Sequence, residues 1–228
     1  ILIIKKISLI ILAVFSYSVF SDLPLYSAKY NFESDEISIT GIRELVKEGD
    51  IYELKFSASN LIASLYFSSK FKISKNSVIP ETYDVKIRPK FLDRDQSLKF
   101  NYLTKEITSI GSNEWISPIG KKLMLDPLNV QIMIRKQIKS GMQKFDLKIV
   151  DMENGGSRTY NYNVVGTSEC FLNSETYNCL ILERTQDNNL RKVTYYLAKE
   201  LDFMFIKIID VNQDKTNKLE IDELLSFG

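Results

Sequence analysis

The chain has 228 residues, in which 30 Lys and Arg side chains balance 29 Asp and Glu side chains and histidine is absent. The charges of both signs are interspersed along the chain, so the sequence lacks the concentrated basic patch with which proteins bind nucleic acid or an anionic membrane. Without histidine the chain has neither the most common general base nor the most common metal ligand, and we expect no His-based catalysis, no metal site and no cofactor.

The first 21 residues have the pattern of a secretory signal peptide. Lys5 and Lys6 precede an apolar run over residues 7–20, and small residues that suit cleavage end at Ser21. The run is shorter than the roughly 20 apolar residues that span a bilayer, and no cysteine follows it to carry a lipid. We therefore favour a cleaved segment 1–21 over a retained membrane anchor, and we predict a periplasmic mature chain, not a lipoprotein, that starts near Asp22.

Residues 22–228 are predicted to form one domain of antiparallel strands. Within Ile51–Ser59, Tyr52, Leu54 and Phe56 share one face while the residues between them are polar. The same alternation, which is typical of strands with one packed and one wet face, recurs in about a dozen segments separated by turns. So many strands do not fit one flat sheet, so we predict a mainly β fold with a strongly curved antiparallel sheet, a half-barrel or partial barrel.

Acidic residues gather in the middle of the chain, where paired carboxylates would suit glycoside hydrolysis. Glu81 and Asp84 are an odd number of positions apart, so on a strand they point to opposite faces. Asp93 and Asp95 alternate with basic residues. The pattern favours a solvated region of mixed charge over a catalytic pair.

One segment has helical spacing. Asp126 and Pro127 form a start signal, apolar residues recur at helical intervals, and Gly141 ends the run. We predict a single amphipathic helix over 127–140 that covers the concave side of the sheet. Trp115, in the polar segment before this helix, is interpreted as a lid over the core or as a platform for a ligand.

The two cysteines, Cys170 and Cys179, are predicted to form a disulfide in an oxidising compartment, with two buried thiols as the alternative. A chain reversal at Ser174 and Glu175 would place the two cysteines directly opposite each other on neighbouring strands. Directly opposed residues of an antiparallel pair lie within the reach of a disulfide.

The alternating residues Asp210, Asn212 and Asp214, followed by Glu220, invite comparison with a calcium-binding loop. Lys215 stands where such a loop needs glycine, and Ile221 stands where it needs a bidentate glutamate. We therefore interpret this segment as a polar hairpin turn.

The order of several short motifs resembles the bacterial exported family catalogued as domain of unknown function 3108. The motifs are Tyr26–Tyr30, Gly41-Ile42, Tyr52–Leu54, Ile79–Tyr83, Asp126–Leu128 with Arg135 and Gly141, Tyr162–Gly166 with Glu169, and Glu183-Arg184. The resemblance implies a periplasmic, mostly antiparallel β protein similar in outline to lipoprotein-carrier half-barrels. The family has no established role, so no catalytic residue is implied. This chain differs from the family in two ways: Glu175 stands where the family has a glycine in the hairpin turn, and the pair Cys170 and Cys179 is not part of the family pattern.

Three functions are compatible with these patterns. The first is a non-enzymatic protein that binds an apolar or amphipathic ligand, such as a lipid or lipidated peptide, in the concave face. The second is an envelope scaffold that contacts partner proteins, for example by edge pairing of the polar-faced strand Ser64–Ile73. The third is a carboxylate-based glycan hydrolase. The ligand-lining residues predicted for the first function are Tyr52, Leu54, Phe56, Phe67, Phe71, Trp115, Tyr160 and Tyr162.

Overall fold

The structure, a computed structural model, describes residues 23–61, 63–75, 77–89, 94–120, 122–185 and 191–228. The predicted signal segment and Asp93 lie outside these residues. Fourteen strands and one helix form in the described part of the chain. Among the described residues no helix has the length and apolar character needed to cross a membrane.

The strands follow one another along the chain with one interruption by the helix. They are β1 (Tyr26–Glu33), β2 (Ser38–Glu48), β3 (Ile51–Ser59), β4 (Ala63–Ser74), β5 (Ser77–Pro89), β6 (Arg94–Asn101), β7 (Glu106–Gly111), β8 (Trp115–Pro118), helix α1 (Val130–Lys139), β9 (Lys144–Val150), β10 (Ser157–Leu172), β11 (Glu175–Thr185), β12 (Lys192–Ala198), β13 (Met204–Asn212) and β14 (Lys215–Phe227).

All fourteen strands form one antiparallel sheet in the order β8-β7-β6-β5-β4-β3-β2-β1-β14-β13-β12-β11-β10-β9. Two meanders, β1 to β8 and β9 to β14, therefore join side by side where β1 pairs with β14. The edge strands β8 and β9 are neighbours in sequence but lie at opposite ends of this order. The prediction of a mainly β, antiparallel sheet with one helix is confirmed, although the strands outnumber the expected dozen.

The two ends of the sheet meet through hydrogen bonds that do not form a strand ladder. The Trp115 indole of β8 donates to the Met152 carbonyl (3.1 Å), which lies in the turn between β9 and β10. The Gly156 amide of the same turn donates to the Ser117 hydroxyl (2.9 Å). Gly155 has a positive φ of 74°, and a Cβ there would lie 3.0 Å from the Trp115 ring. The sheet is thus open as a ladder, and side chains hold its two ends together.

Strand β4 lies in the interior of the sheet. It pairs with β3 on one side and with β5 on the other along nearly its whole length. The expectation that Ser64–Ile73 offers a free edge is therefore wrong, because the backbone groups of this segment are already used in two ladders. At the β9 edge, Leu125 forms a parallel bridge with Ile149, so a piece of the connection from β8 covers part of that strand.

Helix α1 begins three residues later than predicted. The Asp126 carboxylate accepts hydrogen bonds from the amides of Leu128 and Asn129, both at 2.8 Å, so residues 127–129 form a turn before the helix. Gly141, with a φ of 88°, follows the helix end as expected. The buried helix residues are Val130, Ile132, Met133, Ile134, Arg135 and Ile138. Since most of its surface is buried, α1 lies deep within the curve of the sheet.

Cys170 and Cys179 form the predicted disulfide, but in a different register. The turn between β10 and β11 consists of Asn173 and Ser174, both with positive φ, so Leu172 pairs with Glu175. Two positive-φ residues are characteristic of the tight turn whose twist matches that of the strands. The turn therefore lies one residue earlier than predicted, and the cysteines are diagonal neighbours with a Cα separation of 5.8 Å.

The segment after Asp210 is a hairpin, as the sequence indicated. Asn212 ends β13 and pairs with Lys215, the first residue of β14. Gln213, with a φ of 53°, makes the turn. Asp210 and Asn212 therefore belong to β13 and Glu220 to β14, and Asp214 lies in the hairpin turn between the two strands.

Candidate ligand site in the concave face

The predicted lining residues of β3 and β4 form cross-strand pairs on the inner face of the sheet. Tyr52 lies opposite Phe71, with ring centroids 5.8 Å apart, and Phe56 lies opposite Phe67, at 6.4 Å. Leu54 lies between the two aromatic residues of β3 and is completely buried. The structure thus brings five of the eight predicted residues into one apolar patch.

Tyr160 and Tyr162 lie across the concavity, on β10. Tyr162 is buried and stacks on Phe145 at 5.3 Å. Tyr160 is half-buried, and the guanidinium of Arg184 lies 4.6 Å from its ring centroid. The remaining predicted residue, Trp115, belongs to the contact between the two ends of the sheet. The eight predicted residues therefore lie in three separate places.

A polar cluster crosses the apolar interior between helix α1, strands β1 and β2 and the turn between β12 and β13. We call it the arginine seam. It consists of Tyr26, Tyr30, Arg43, Gln131, Arg135 and Asp202.

Arg43 enters the seam from β2. Its Nε donates to the Tyr26 hydroxyl (3.0 Å), and a second nitrogen donates to the Gln131 side chain on α1. Its guanidinium also lies 5.5 Å from the centroid of the Tyr30 ring. No carboxylate among the described residues pairs with Arg43, so neutral groups alone satisfy this buried cation.

Arg135 enters the same seam from the helix, one turn after Gln131, and its side chain is only 2% exposed. Its Nε donates to the Asp202 carbonyl (3.0 Å) and its Nη2 to the Asp202 carboxylate (3.2 Å). Its Nη1 is buried and has no hydrogen-bond acceptor among the described residues. Burial lowers the pKa of Arg135 from its ordinary value, and the charge of Asp202 acts in the opposite direction.

Sequence reasoning missed the seam although a signal was present. Along β2, Ile39, Gly41, Arg43 and Leu45 fall on one face, and this face carries buried apolar residues. An arginine in that register is a charge directed into the core, which is rare without a partner. The partner group on α1 is distant in sequence, so the pattern alone did not identify it.

A second buried polar group ties the start of the helix to β4. The Asp126 carboxylate accepts from the Ser69 hydroxyl (2.6 Å) and from the Asn129 side-chain amide, in addition to the two backbone amides. Burial raises the pKa of the Asp126 carboxyl to about 7, and its hydrogen bonds act in the opposite direction. The carboxylate has a complete set of donors within the chain, so this cluster is a structural anchor.

The acidic residues considered for hydrolysis are dispersed. Glu81 forms an ion pair with Lys72 (2.6 Å), and Asp84 accepts from the Ser97 hydroxyl (2.5 Å). Asp95 pairs with Arg88 (2.5 Å). Each of these described carboxylates therefore has its own local partner at the surface of β4, β5 or β6.

No family model matches the chain, and no curated protein matches it. The resemblance to domain of unknown function 3108 therefore stays a prediction. The fold is similar to that in a crystal structure of a beta-barrel-like protein of domain of unknown function DUF1849 from Brucella abortus, with a TM-score of 0.58 and 9% identity. That match covers 89% of this chain and 97% of the other. At such identity the similarity concerns the fold alone, which in this chain is one antiparallel sheet that does not close into a barrel.

Proposed function

We propose that this chain is an exported, periplasmic and non-enzymatic protein that binds an apolar or amphipathic ligand, such as a lipid or lipidated peptide, against the concave face of its sheet. The disulfide and the signal-like segment support an oxidising compartment. The resemblance to the exported family 3108 supports the same location.

One observation carries the proposal: the inner face changes along β4 from fully buried to half-buried apolar side chains. Phe71 is completely buried, whereas Phe67 and Leu65 are half-buried, as is Val85 beside Phe67 on β5. Half-buried apolar side chains of β4 and β5 therefore adjoin the buried aromatic residues of β3 and β4. An apolar ligand can enter along these side chains without losing contact with apolar surface.

Ligand binding is tested on the full chain produced with export and purified without detergent. Native mass spectrometry should detect a bound amphiphile, and the neutral fluorescent probe N-phenyl-1-naphthylamine should bind and be displaced by it. Replacing Phe67 by Gln should weaken probe binding about tenfold, because a large aromatic contact is lost.

Tyr66→Gln is the matched control, since Tyr66 neighbours Phe67 on the same strand but points to the outer face. Its probe affinity should equal that of the wild type. A wild-type protein that carries no amphiphile and does not bind the probe would refute the proposed function.

A scaffold function remains the second candidate because of exposed apolar residues near the β8 edge. Ile116 of β8 is 68% exposed and Ile110 of β7 is 59% exposed. Both lie beside the edge at which a partner strand could add. Stoichiometric co-purification of an envelope protein that Ile116→Lys abolishes, with no bound amphiphile, would favour this function.

A further inference from the structure

The arginine seam carries more positive than negative charge. Arg43 and Arg135 are both buried, and Lys139, one helical turn after Arg135, shares the same carboxylate, Asp202. Asp202 thus serves two cations, whereas Arg43 has neutral partners alone among the described residues. Buried charges are stable only when they are paired and hydrogen-bonded, so the seam is electrostatically incomplete.

Two hydrogen-bond donors in the seam lack acceptors within the described part of the chain. One is Arg135 Nη1. The other is the Tyr26 hydroxyl, which accepts from Arg43 but has no described acceptor for its own proton. The two residues are neighbours, because the Arg135 guanidinium carbon lies 6.0 Å from the centroid of the Tyr26 ring. An unsatisfied buried guanidinium donor costs more than a neutral one, which makes this position the most incomplete part of the seam.

We propose that the seam binds the oxyanion of an amphipathic ligand, a carboxylate or a phosphate, with Arg135 Nη1 and the Tyr26 hydroxyl as donors and Arg43 as a second positive charge. This inference rests on the proposed function and specifies the chemical class of its ligand. An oxyanion supplies both the missing acceptors and the missing negative charge, and guanidinium groups match its planar oxygen geometry.

The register of the sheet places an apolar path next to the seam. Arg43 lies directly opposite Phe56, Phe56 lies opposite Phe67, and Phe67 lies opposite Val85. Three steps of strand spacing span about 14 Å, which is about the length of an extended dodecyl chain. A ligand with its head group in the seam can therefore extend its tail along this path to the half-buried side chains of Phe67 and Val85.

The test compares ligands that share a dodecyl chain and differ in the head group. Binding of dodecanoate, dodecyl phosphate and dodecanol to the delipidated full chain is measured by displacement of N-phenyl-1-naphthylamine at pH 7.5. The two anions should bind at least about tenfold more tightly than the alcohol, the difference expected for one charge-assisted hydrogen bond. Acetate and inorganic phosphate, which lack the chain, should bind at least about a hundredfold more weakly than their dodecyl counterparts.

Variants locate the head group. Arg135→Gln should reduce the preference for anions to within about twofold, whereas Arg135→Lys should retain part of the preference. The matched control is Arg184→Gln, which removes a half-buried arginine of the inner face on the distant strand β11. It should leave the preference intact.

The outcomes separate the inference from the proposed function. Equal wild-type affinity for the three dodecyl ligands would refute the oxyanion site and leave the ligand-binding function standing. This comparison uses the wild-type protein alone, so it does not depend on the folding of a variant. Failure of all three to bind would refute both. Tight binding of inorganic phosphate alone, or loss of the preference in Arg184→Gln but not in Arg135→Gln, would also overturn the inference.

Discussion

At the scale of single residues, the inner face contains two kinds of buried charge. The Asp126 carboxylate accepts four hydrogen bonds from its own chain, two at each oxygen. Arg135 leaves one donor unused. A complete set of partners is expected where a charge serves the fold alone, because an unmet buried group costs stability. This difference is the reason that we propose a structural role for Asp126 and a ligand-binding role for Arg135.

Asp126→Asn should lower the free energy of unfolding by about 2 kcal/mol at pH 5. The new amide nitrogen would face the Asn129 side-chain amide, another donor, whose orientation is fixed because its oxygen accepts from the Asp126 backbone amide. Because burial raises the folded pKa of Asp126 to about 7, its proton stabilises the fold at low pH, and this contribution is lost as the pH rises through 7. The cost of the substitution should therefore be smaller at pH 8, as measured by urea unfolding at the two pH values.

Asp84→Asn is the control for this comparison, since Asp84 accepts one hydrogen bond, from Ser97, at the outer face. It should change stability by no more than about 0.5 kcal/mol at either pH. A cost of Asp126→Asn that grows between pH 5 and pH 8 would contradict the assignment of the pKa direction.

At the scale of elements, the hairpin of β10 and β11 shows what the sequence pattern could predict. Alternation identified the strands and the approximate place of the turn, because burial on one face imposes a period of two. The exact register depended on whether Asn173 or Ser174 begins the turn, and both residue types adopt positive φ. The predicted helix start was three residues too early for a similar local reason. The Asp126 carboxylate caps a turn that precedes α1, and not the helix itself.

Long-range features were beyond the pattern. The pairing of β1 with β14 joins the two ends of the described chain, and no local periodicity specifies it. The arginine seam likewise combines residues from β1, β2, α1 and a distant turn. What could be predicted was therefore the period of each strand, and what could not be predicted was which distant strands and side chains meet.

Replacing both Cys170 and Cys179 by Ser should lower the free energy of unfolding by about 2 to 3 kcal/mol, the loop-closure value for a loop of about ten residues. The bond links diagonal positions of one hairpin and neither cysteine belongs to the seam, so amphiphile binding should be retained. Guanidinium unfolding with and without reductant measures the change, and reductant should affect the wild type alone. Two free thiols counted by alkylation in oxidised wild-type protein would contradict the prediction.

At the scale of the whole molecule, closure of the curve depends on a few contacts between the sheet ends. The meanders share a full ladder only where β1 pairs with β14. On the opposite side, hydrogen bonds between β8 and the turn from β9 to β10 connect the two ends of the sheet. Gln96 of β6 adds a hydrogen bond to the same Met152 carbonyl (2.6 Å). Strand ladders break cooperatively, whereas these side-chain contacts can open one at a time, which makes this side the weakest part of the closed shape.

Trp115→Ala should open this side while leaving the joined meanders intact. The substitution removes both the indole hydrogen bond to Met152 and the ring that packs on Gly155. We expect the free energy of unfolding to fall by about 2 kcal/mol, less than for a fully buried tryptophan because Trp115 is half-buried. Hydrogen exchange followed by mass spectrometry should show faster exchange in β8, in residues 151–156 and in β9, with β1 to β3 unchanged. Ile116→Ala, which truncates the exposed neighbour on the same strand, should leave exchange as in the wild type. Faster exchange throughout the sheet would mean that closure and the core unfold together, and unchanged exchange in β8 and β9 would mean that other contacts close the curve.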